Sequence, residues 1–263
     1  MEDPEYTTEI KYRTLIGERG APLLKGKNVY IHQREAIEWM RHREENTLMG
    51  VKGGILSFSP GLGKTLTYII HSLLEPKNTA TLIVVPKSLI ENTIELVETF
   101  FGDRVKCHIF YSEYNPREIT TNDLKTIDFC ITTYEVLAKY SDSFLPSIHI
   151  YNGNRIMSYR LPSRRNYSSK GYGLLYSTHW DRIIMEESHT RLVNPSTLQY
   201  QSVMALSSEY RWAITGSIIN NRSSDFWATI HCLGYTFIDS AKKWNRSGKE
   251  FFESHKLDNL LWT

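Results

Sequence analysis

Lys64 and Thr65 close a glycine-rich run, Gly61-Leu62-Gly63-Lys64-Thr65. That order of residue types suits phosphate chemistry. Gly61 and Gly63 let the backbone turn tightly enough for its N–H groups to face phosphate oxygens. A helix starting at the lysine adds the positive end of its dipole. Lys64 can then reach the β and γ phosphates of a nucleotide, and the Thr65 hydroxyl can hold Mg²⁺. The strict Walker spacing asks for glycine at position 58, where this chain has Phe58, so the match is to the shorter G-x-G-K-T core. Farther on, Glu186-Glu187 is followed by Ser188-His189. Downstream of a phosphate loop, two carboxylates at a strand end have a specific use. One holds the Mg²⁺ that bridges the phosphates, and the other orients or deprotonates the attacking water. Without the loop, the same residues would read as an acidic turn with a surface histidine.

These groups need strands and helices that end in the right places. An apolar run over 54–58 leads into the glycine-rich turn. An amphipathic stretch with Leu66, Ile69, Ile70, Leu73 and Leu74 follows it, which gives strand, loop and helix. Thr81-Leu82-Ile83-Val84-Val85 reads as a strand buried on both faces. Pro86 ends that strand. Ser88 is placed to cap a helix over 89–101, with Glu91 completing a capping box. Residues 105–111, 127–132, 180–185 and 211–217 read as further strands, and 197–206 and 225–233 as helices. Strands alternating with helices predict an α/β fold, a mostly parallel sheet flanked by helices on both faces. Ahead of them, Ala36, Ile37 and Met40 recur at helical spacing beside Trp39. On spacing alone, Gln33 in this stretch is a solvated helix residue. Its amide could also contact adenine.

The 263 residues are 41% hydrophobic and 23% charged, ordinary for a globular protein with a real core. A net charge of +2 excludes a global polyanion-binding signature, so a nucleic-acid surface must be a local patch. One candidate patch is 151–173, with five basic residues, no acidic one and four tyrosines. It reads either as a solvated insertion or as a loop facing nucleic acid through groups such as Arg164 and Arg165. Cys107, Cys130 and Cys232 are odd in number and widely spaced. They suggest neither a disulfide framework nor a metal site, and read as small core side chains in a reducing compartment. No apolar run approaches the roughly 18 residues of a membrane helix. The polar, acidic N-terminus is unlike a secretory signal.

Taken in order, the motifs form a set. His32-Gln33 with Trp39-Met40 precedes Gly53-Gly54-Ile55-Leu56 and the phosphate loop. Val85-Pro86-Lys87-Ser88-Leu89 and Thr132-Thr133-Tyr134-Glu135 come next. Glu186-Glu187-Ser188-His189, Thr215-Gly216-Ser217 and Asp225-Phe226-Trp227 close the series. The set resembles the N-terminal RecA-like lobe of SWI/SNF-type helicase-like ATPases of helicase superfamily 2, over residues 31–234. The resemblance implies ATP and Mg²⁺ as cofactors. Gln33 would contact adenine, and Gly61, Leu62, Gly63, Lys64, Thr65 and Leu66 would hold the triphosphate. Thr65 and Glu186 would hold the metal. Lys64, Glu186 and Glu187 would be the catalytic groups. His189, Thr215 and Gly216 would couple the nucleotide site to DNA. Lys87, Ser88, Thr133 and Tyr134 would lie along the phosphates of duplex DNA, contacts that position without reading sequence. Arg164 and Arg165 would join them if the basic insertion faces DNA.

The departures are specific. Ser57-Phe58-Ser59-Pro60 stands where the family has alanine, two acids and methionine, and Glu186 stands where it has aspartate. Thr93 replaces a tryptophan, Ile218 replaces a proline, and Asn194-Pro195 comes one residue late. By resemblance, 1–28 is an arm, 29–240 the lobe with an insertion at 141–173, and 241–263 a segment leading toward a second lobe. No second RecA-like lobe is found in the sequence, and its arginines would come in cis from a longer chain or from a partner chain. The short stretch before the first motif resembles the compact members carried by large DNA viruses. The expected location is intracellular: the nucleus or, for a viral protein, the virion or a cytoplasmic replication site. Two functions fit. One is an ATP-driven lobe acting on duplex DNA. The other is a degenerate, non-catalytic lobe that docks DNA or a transcription or replication partner. A small-molecule P-loop kinase is disfavoured because no lid or acceptor motif is present.

Overall fold

The computed structural model describes residues 29–74, 78–114, 118–144, 149–152, 155–158, 173–217, 223–235, 244 and 261–262. Helix α1 (Ile31–Glu45) leads into strand β1 (Gly53–Ser57), and α2 (Lys64–Leu74) follows the phosphate loop. Then come β2 (Thr81–Val85), α3 (Ile90–Phe101), β3 (Cys107–Phe110), β4 (Phe129–Thr133) and α4 (Tyr134–Phe144). Among the described residues, strands β5 (His149–Asn152) and β6 (Arg155–Ser158) pair only with each other, antiparallel. They lie in the stretch read as an insertion. After α5 (Leu174–Ser177) come β7 (His179–Glu186), α6 (Ser188–Arg191), α7 (Leu198–Met204), β8 (Ser207–Thr215), α8 (Ser223–Cys232) and β9 (Leu261–Trp262).

Among the described residues, seven strands form one sheet in the order β3-β4-β2-β7-β8-β1-β9. Every pairing in it is parallel. Strands β1, β2 and β4 are buried at every position, as expected of a parallel sheet covered by helices. Helices α1 and α2 pack against each other, α4 packs on α7, and α7 on α8. The predicted α/β class and alternation are therefore realised. Trp39 of α1 packs edge-on to Trp212 of β8 at 5.3 Å and also meets Trp262 at 5.8 Å. Leu261 and Trp262 pair with Ile55 and Leu56, so part of the segment assigned beyond the lobe extends the lobe's own sheet.

Two local expectations change. Ser88 does not cap α3. Lys87–Leu89 form a turn of 3₁₀ helix, and α3 starts at Ile90 with Leu89 at its N-cap and no side-chain cap. The tighter turn shifts the register, so Glu91 falls at the second position of the helix and the capping box cannot close. Cys130 and Cys232 are buried, but Cys107 is exposed on edge strand β3. All three thiols are free. Among the described residues there is no cluster suited to a metal through three or more His, Cys, Asp or Glu side chains, and no helix is long and apolar enough to cross a membrane. Residues 1–28 and Arg164 and Arg165 lie outside the described residues.

Sequence inspection also missed a buried arginine. Arg211 of β8 donates to the carbonyls of Cys232 (2.7 Å), Val203 (3.0 Å) and Leu206 (2.6 Å). Val203 and Cys232 lie in the last turns of α7 and α8, where backbone acceptors lack their full helical partners, and Leu206 lies in the link to β8. One guanidinium thus closes two helices against the strand that carries Thr215.

Candidate nucleotide and nucleic-acid site

Ligands of open α/β sheets gather at the carboxyl ends of the strands. Here β7, β8 and β1 are adjacent. Their ends carry Glu186-Glu187, Thr215-Gly216 and the phosphate loop, respectively. The register sets Ser57 beside Thr215 and Glu186 beside Ile214. Three separated stretches of sequence therefore converge on one edge.

The loop has the backbone its glycines anticipate. Gly61 has φ 84° and Gly63 has φ 78°, values that side chains strain to adopt. A Cβ at Gly63 would lie 2.3 Å from Gln33 Nε2 and would push that amide off the loop. Lys64 Nζ donates to Phe58 O at 2.9 Å. Phe58 is buried, and His32 sets its ring edge-on to it at 5.4 Å. The His32 Nε2 lies 3.1 Å from Leu62 O. Leu66 is partly buried against the core.

Gln33 is not a solvated helix residue. It is buried, donates from Nε2 to Gly63 O at 3.3 Å, and accepts the Tyr30 N–H at 3.0 Å through Oε1. The first turn of α1 thus presses its amide and the neighbouring imidazole onto the phosphate loop. Helical periodicity weighs only the burial of one face, and could not register a contact across thirty positions.

Thr65 and Glu186 meet directly. The Thr65 hydroxyl donates to Glu186 Oε1 at 2.8 Å. Burial pushes the Glu186 carboxyl above its ordinary range, aided by the charge of Glu187; the Thr65 hydrogen bond, the nearby Tyr68 hydroxyl and the Lys64 charge oppose it. Tyr68, one turn along α2, is fully buried, and its hydroxyl faces this pair without a hydrogen bond of good geometry. Glu187 sits in the left-handed region at φ 50°, ψ 39°, a conformation that costs a non-glycine residue about 1–3 kcal/mol. That kink turns the second carboxylate away from the strand, where its side chain is partly exposed.

His189 links the acidic end to β8. Its Nδ1 lies 2.6 Å from Thr215 Oγ1 and 3.5 Å from Glu187 Oε2. Thr215 Oγ1 also donates to Ser217 O. A hydroxyl has one proton to give, so at the imidazole Thr215 accepts and Nδ1–H donates. Burial lowers the His189 pKa, which keeps the ring neutral at pH 7 and compatible with that tautomer. Gly216 runs close under Lys64, with a Cβ there 3.8 Å from Nζ.

The residues assigned to nucleic acid divide. Lys87 and Ser88 are exposed at the end of β2. Lys87 pairs with Glu113 at 3.1 Å and lies 5.7 Å from the Tyr111 ring centre. The Tyr111 hydroxyl and the Glu113 carboxylate raise its pKa. Thr133 and Tyr134 are fully buried. Thr133 Oγ1 accepts the Val136 N–H at 3.2 Å, and Tyr134 donates its hydroxyl proton to Glu186 O at 2.7 Å. Neither side chain faces solvent: Thr133 serves the first turn of α4, and Tyr134 supports the acidic strand end.

The model of the SNF2-related domain family matches residues 32–261. Among curated relatives, "Putative helicase 172L" of Invertebrate iridescent virus 6 is 31% identical, over 92% of this chain and 44% of its own length. "Probable global transactivator" of Orgyia pseudotsugata multicapsid polyhedrosis virus is 29% identical, over 87% of this chain and 40% of its own. The chain thus spans less than half the length of these relatives. Among solved structures, the Sulfolobus solfataricus SWI2/SNF2 ATPase core in complex with dsDNA superposes with a TM-score of 0.67 at 22% identity, over 91% of this chain and 45% of that one. At that identity the likeness establishes the fold.

Proposed function

The chain belongs to the SNF2-related domain family, and from that premise we propose that it is the ATP-binding lobe of a DNA-dependent, helicase-like ATPase that couples hydrolysis to movement on, or remodelling of, duplex DNA. The observation that carries this reading is the 2.8 Å contact between Thr65 and Glu186. It joins the phosphate-loop helix to the acidic end of β7, where an ATPase needs both. The donor set fits Mg²⁺, a hard cation that takes oxygen ligands about 2.1 Å away in octahedral geometry. The Thr65 hydroxyl and the Glu186 carboxylate, both oxygen donors in direct contact, would hold it. When bound, Mg²⁺ neutralises charge on the β and γ phosphates.

The chain's own residues supply the rest. Gln33 contacts adenine from the place on the phosphate loop where Gly63 O holds its amide. Gly61, Leu62, Gly63, Lys64, Thr65 and Leu66 wrap the triphosphate. Glu187 orients the attacking water and takes its proton. His189, Thr215 and Gly216 carry the state of the nucleotide to the strand edge that DNA crosses. A second RecA-like lobe, in cis or from a partner chain, supplies the arginines that complete the site. The shares of the relatives left unmatched leave room for it. An intracellular, DNA-containing compartment is where such an activity belongs.

A non-catalytic docking lobe is the competing reading, motivated by Glu186 at the family's aspartate position. The Thr65 contact speaks against it, because the longer arm still reaches the metal-binding hydroxyl. The test is hydrolysis by the full-length protein with and without duplex DNA. Stimulation by DNA is expected. Nucleotide binding without turnover in either condition would replace the motor with the docking module.

Lys87 yields a separate expectation. If it neutralises one phosphate, Lys87→Ala weakens duplex binding uniformly across sequences and lowers the slope of log K against log salt by about 0.9. Fluorescence anisotropy over a salt series reads both quantities. An unchanged slope would remove Lys87 from the interface.

A further inference from the structure

Four elements carry nucleotide-site groups at one end: α1 with Gln33, α2 with Lys64 and Thr65, β7 with Glu186 and Glu187, and β8 with Thr215 and Gly216. A single carboxylate bridges all four at a distance from that site. Glu44 lies in the last turn of α1 and is 4% exposed. Arg182 of β7 grips it twice, Nε to Oε1 and Nη2 to Oε2, both at 2.6 Å. Trp212 of β8 donates its indole N–H to Oε1 at 2.9 Å. His71 of α2 places Nε2 3.1 Å from Oε1. All three partners are fully buried. Neither the site's chemistry nor any motif in the sequence uses these residues.

Stability alone is a poor account of such a cluster. Apolar side chains of similar volume often hold a core as well as a buried ion pair or better. A bidentate guanidinium–carboxylate pair adds fixed geometry, which an apolar contact lacks. We propose that Glu44 is the positioning residue of the nucleotide site: it locks α1 and α2 onto the β7–β8 ladder, and so sets the distances from Gln33, Lys64 and Thr65 to Glu186 and Thr215. This inference rests on the nucleotide-binding reading above.

The lever lengths make register matter. Gln33 lies eleven residues from Glu44 along α1, about 16 Å at 1.5 Å per residue. A tilt of about 5° about Glu44 moves Gln33 by about 1.4 Å on that lever. Its bond to Gly63 O is already 3.3 Å long, so a shift of that size breaks it. A displacement of about 1 Å at a reacting centre can cost 10²-fold in rate. Arg43, the neighbour of Glu44, also anchors α1, but to the carbonyls of Gly53, Asn46 and Val51. Those contacts reach neither α2 nor β7 nor β8.

The test separates register from stability. In the full-length protein, Glu44→Leu with Arg182→Met removes both charges and leaves neither unpaired. The variant is expected to fold with a melting temperature lowered by several degrees, because the buried Trp212 N–H loses its acceptor, while the affinity of the folded protein for a non-hydrolysable ATP analogue falls about tenfold or more. Trp212→Phe removes one donor and keeps an aromatic ring. It is expected to weaken the analogue about threefold, and it decides the matter alone if the double variant does not fold. Titration calorimetry and thermal unfolding supply the two readouts. Wild-type affinity in a folded variant would overturn the positioning role and reduce the cluster to core structure. Failure of the wild-type protein itself to bind the analogue would instead overturn the nucleotide-site reading.

Discussion

Lys64→Ala is expected to reduce the affinity for Mg·ATP by about 10²–10⁴-fold. The lysine follows directly on the left-handed turn at Gly63, at the first position of α2. In the free protein its ammonium is held by the Phe58 carbonyl at 2.9 Å. That acceptor is neutral, and a phosphate oxygen is a stronger competitor for the same proton. Two charge-assisted bonds at about 1.5–3 kcal/mol each, with 1.4 kcal/mol per tenfold in affinity, give the quoted range. The fold should survive, because the substitution removes one bond from a half-buried loop and opens no hole in the core. Isothermal titration with a non-hydrolysable analogue measures the loss, and a thermal melt checks the fold. Equal affinity in mutant and wild type would mean that the loop does not hold a triphosphate.

The phosphate loop and the acidic pair were legible in the sequence because each is local. Gly61, Gly63, Lys64 and Thr65 are neighbours, and their backbone demands can be stated without knowing the fold. The parallel sheet was legible for the same reason, since strands buried on both faces are continuous apolar runs such as Thr81-Leu82-Ile83-Val84-Val85. Long-range polar contacts were not. Tyr134 donates to Glu186 O across 52 positions, and Trp212 to Glu44 across 168. No spacing rule relates such residues. The resemblance therefore points Tyr134 at DNA, and no motif points to Glu44. Gln33 shows the same limit from the other side. Its residue type was informative, but its burial depends on how α1 meets the loop, which the end of that helix and its clamp on β7 and β8 determine. The Ser88 cap failed for a subtler reason. The residues of a capping box are present, but one 3₁₀ turn after Pro86 moves the helix start past Ser88 and leaves Glu91 one position too early.

Glu187→Gln should separate binding from chemistry. Of the two acidic residues, Glu186 faces inward to Thr65, and Glu187 is swung out by its left-handed backbone. Its carboxylate makes no contact with Thr65 and stands 3.5 Å from the neutral His189 ring. The amide keeps the size of the side chain and the backbone strain, but it cannot accept the proton of an attacking water. Nucleotide affinity is therefore expected to stay close to wild type, while turnover by the full-length protein on saturating duplex DNA falls by about 10²–10⁴-fold, the usual weight of general-base catalysis. A fall in kcat with KM held is the signature of a group that acts only in the transition state. Glu186→Gln should behave differently, because the inward carboxylate belongs to the metal-binding pair and its loss reaches affinity as well as rate. Turnover of Glu187→Gln within about tenfold of wild type would show that another group activates the water. A matched loss of affinity in both variants would show that the two carboxylates share one role.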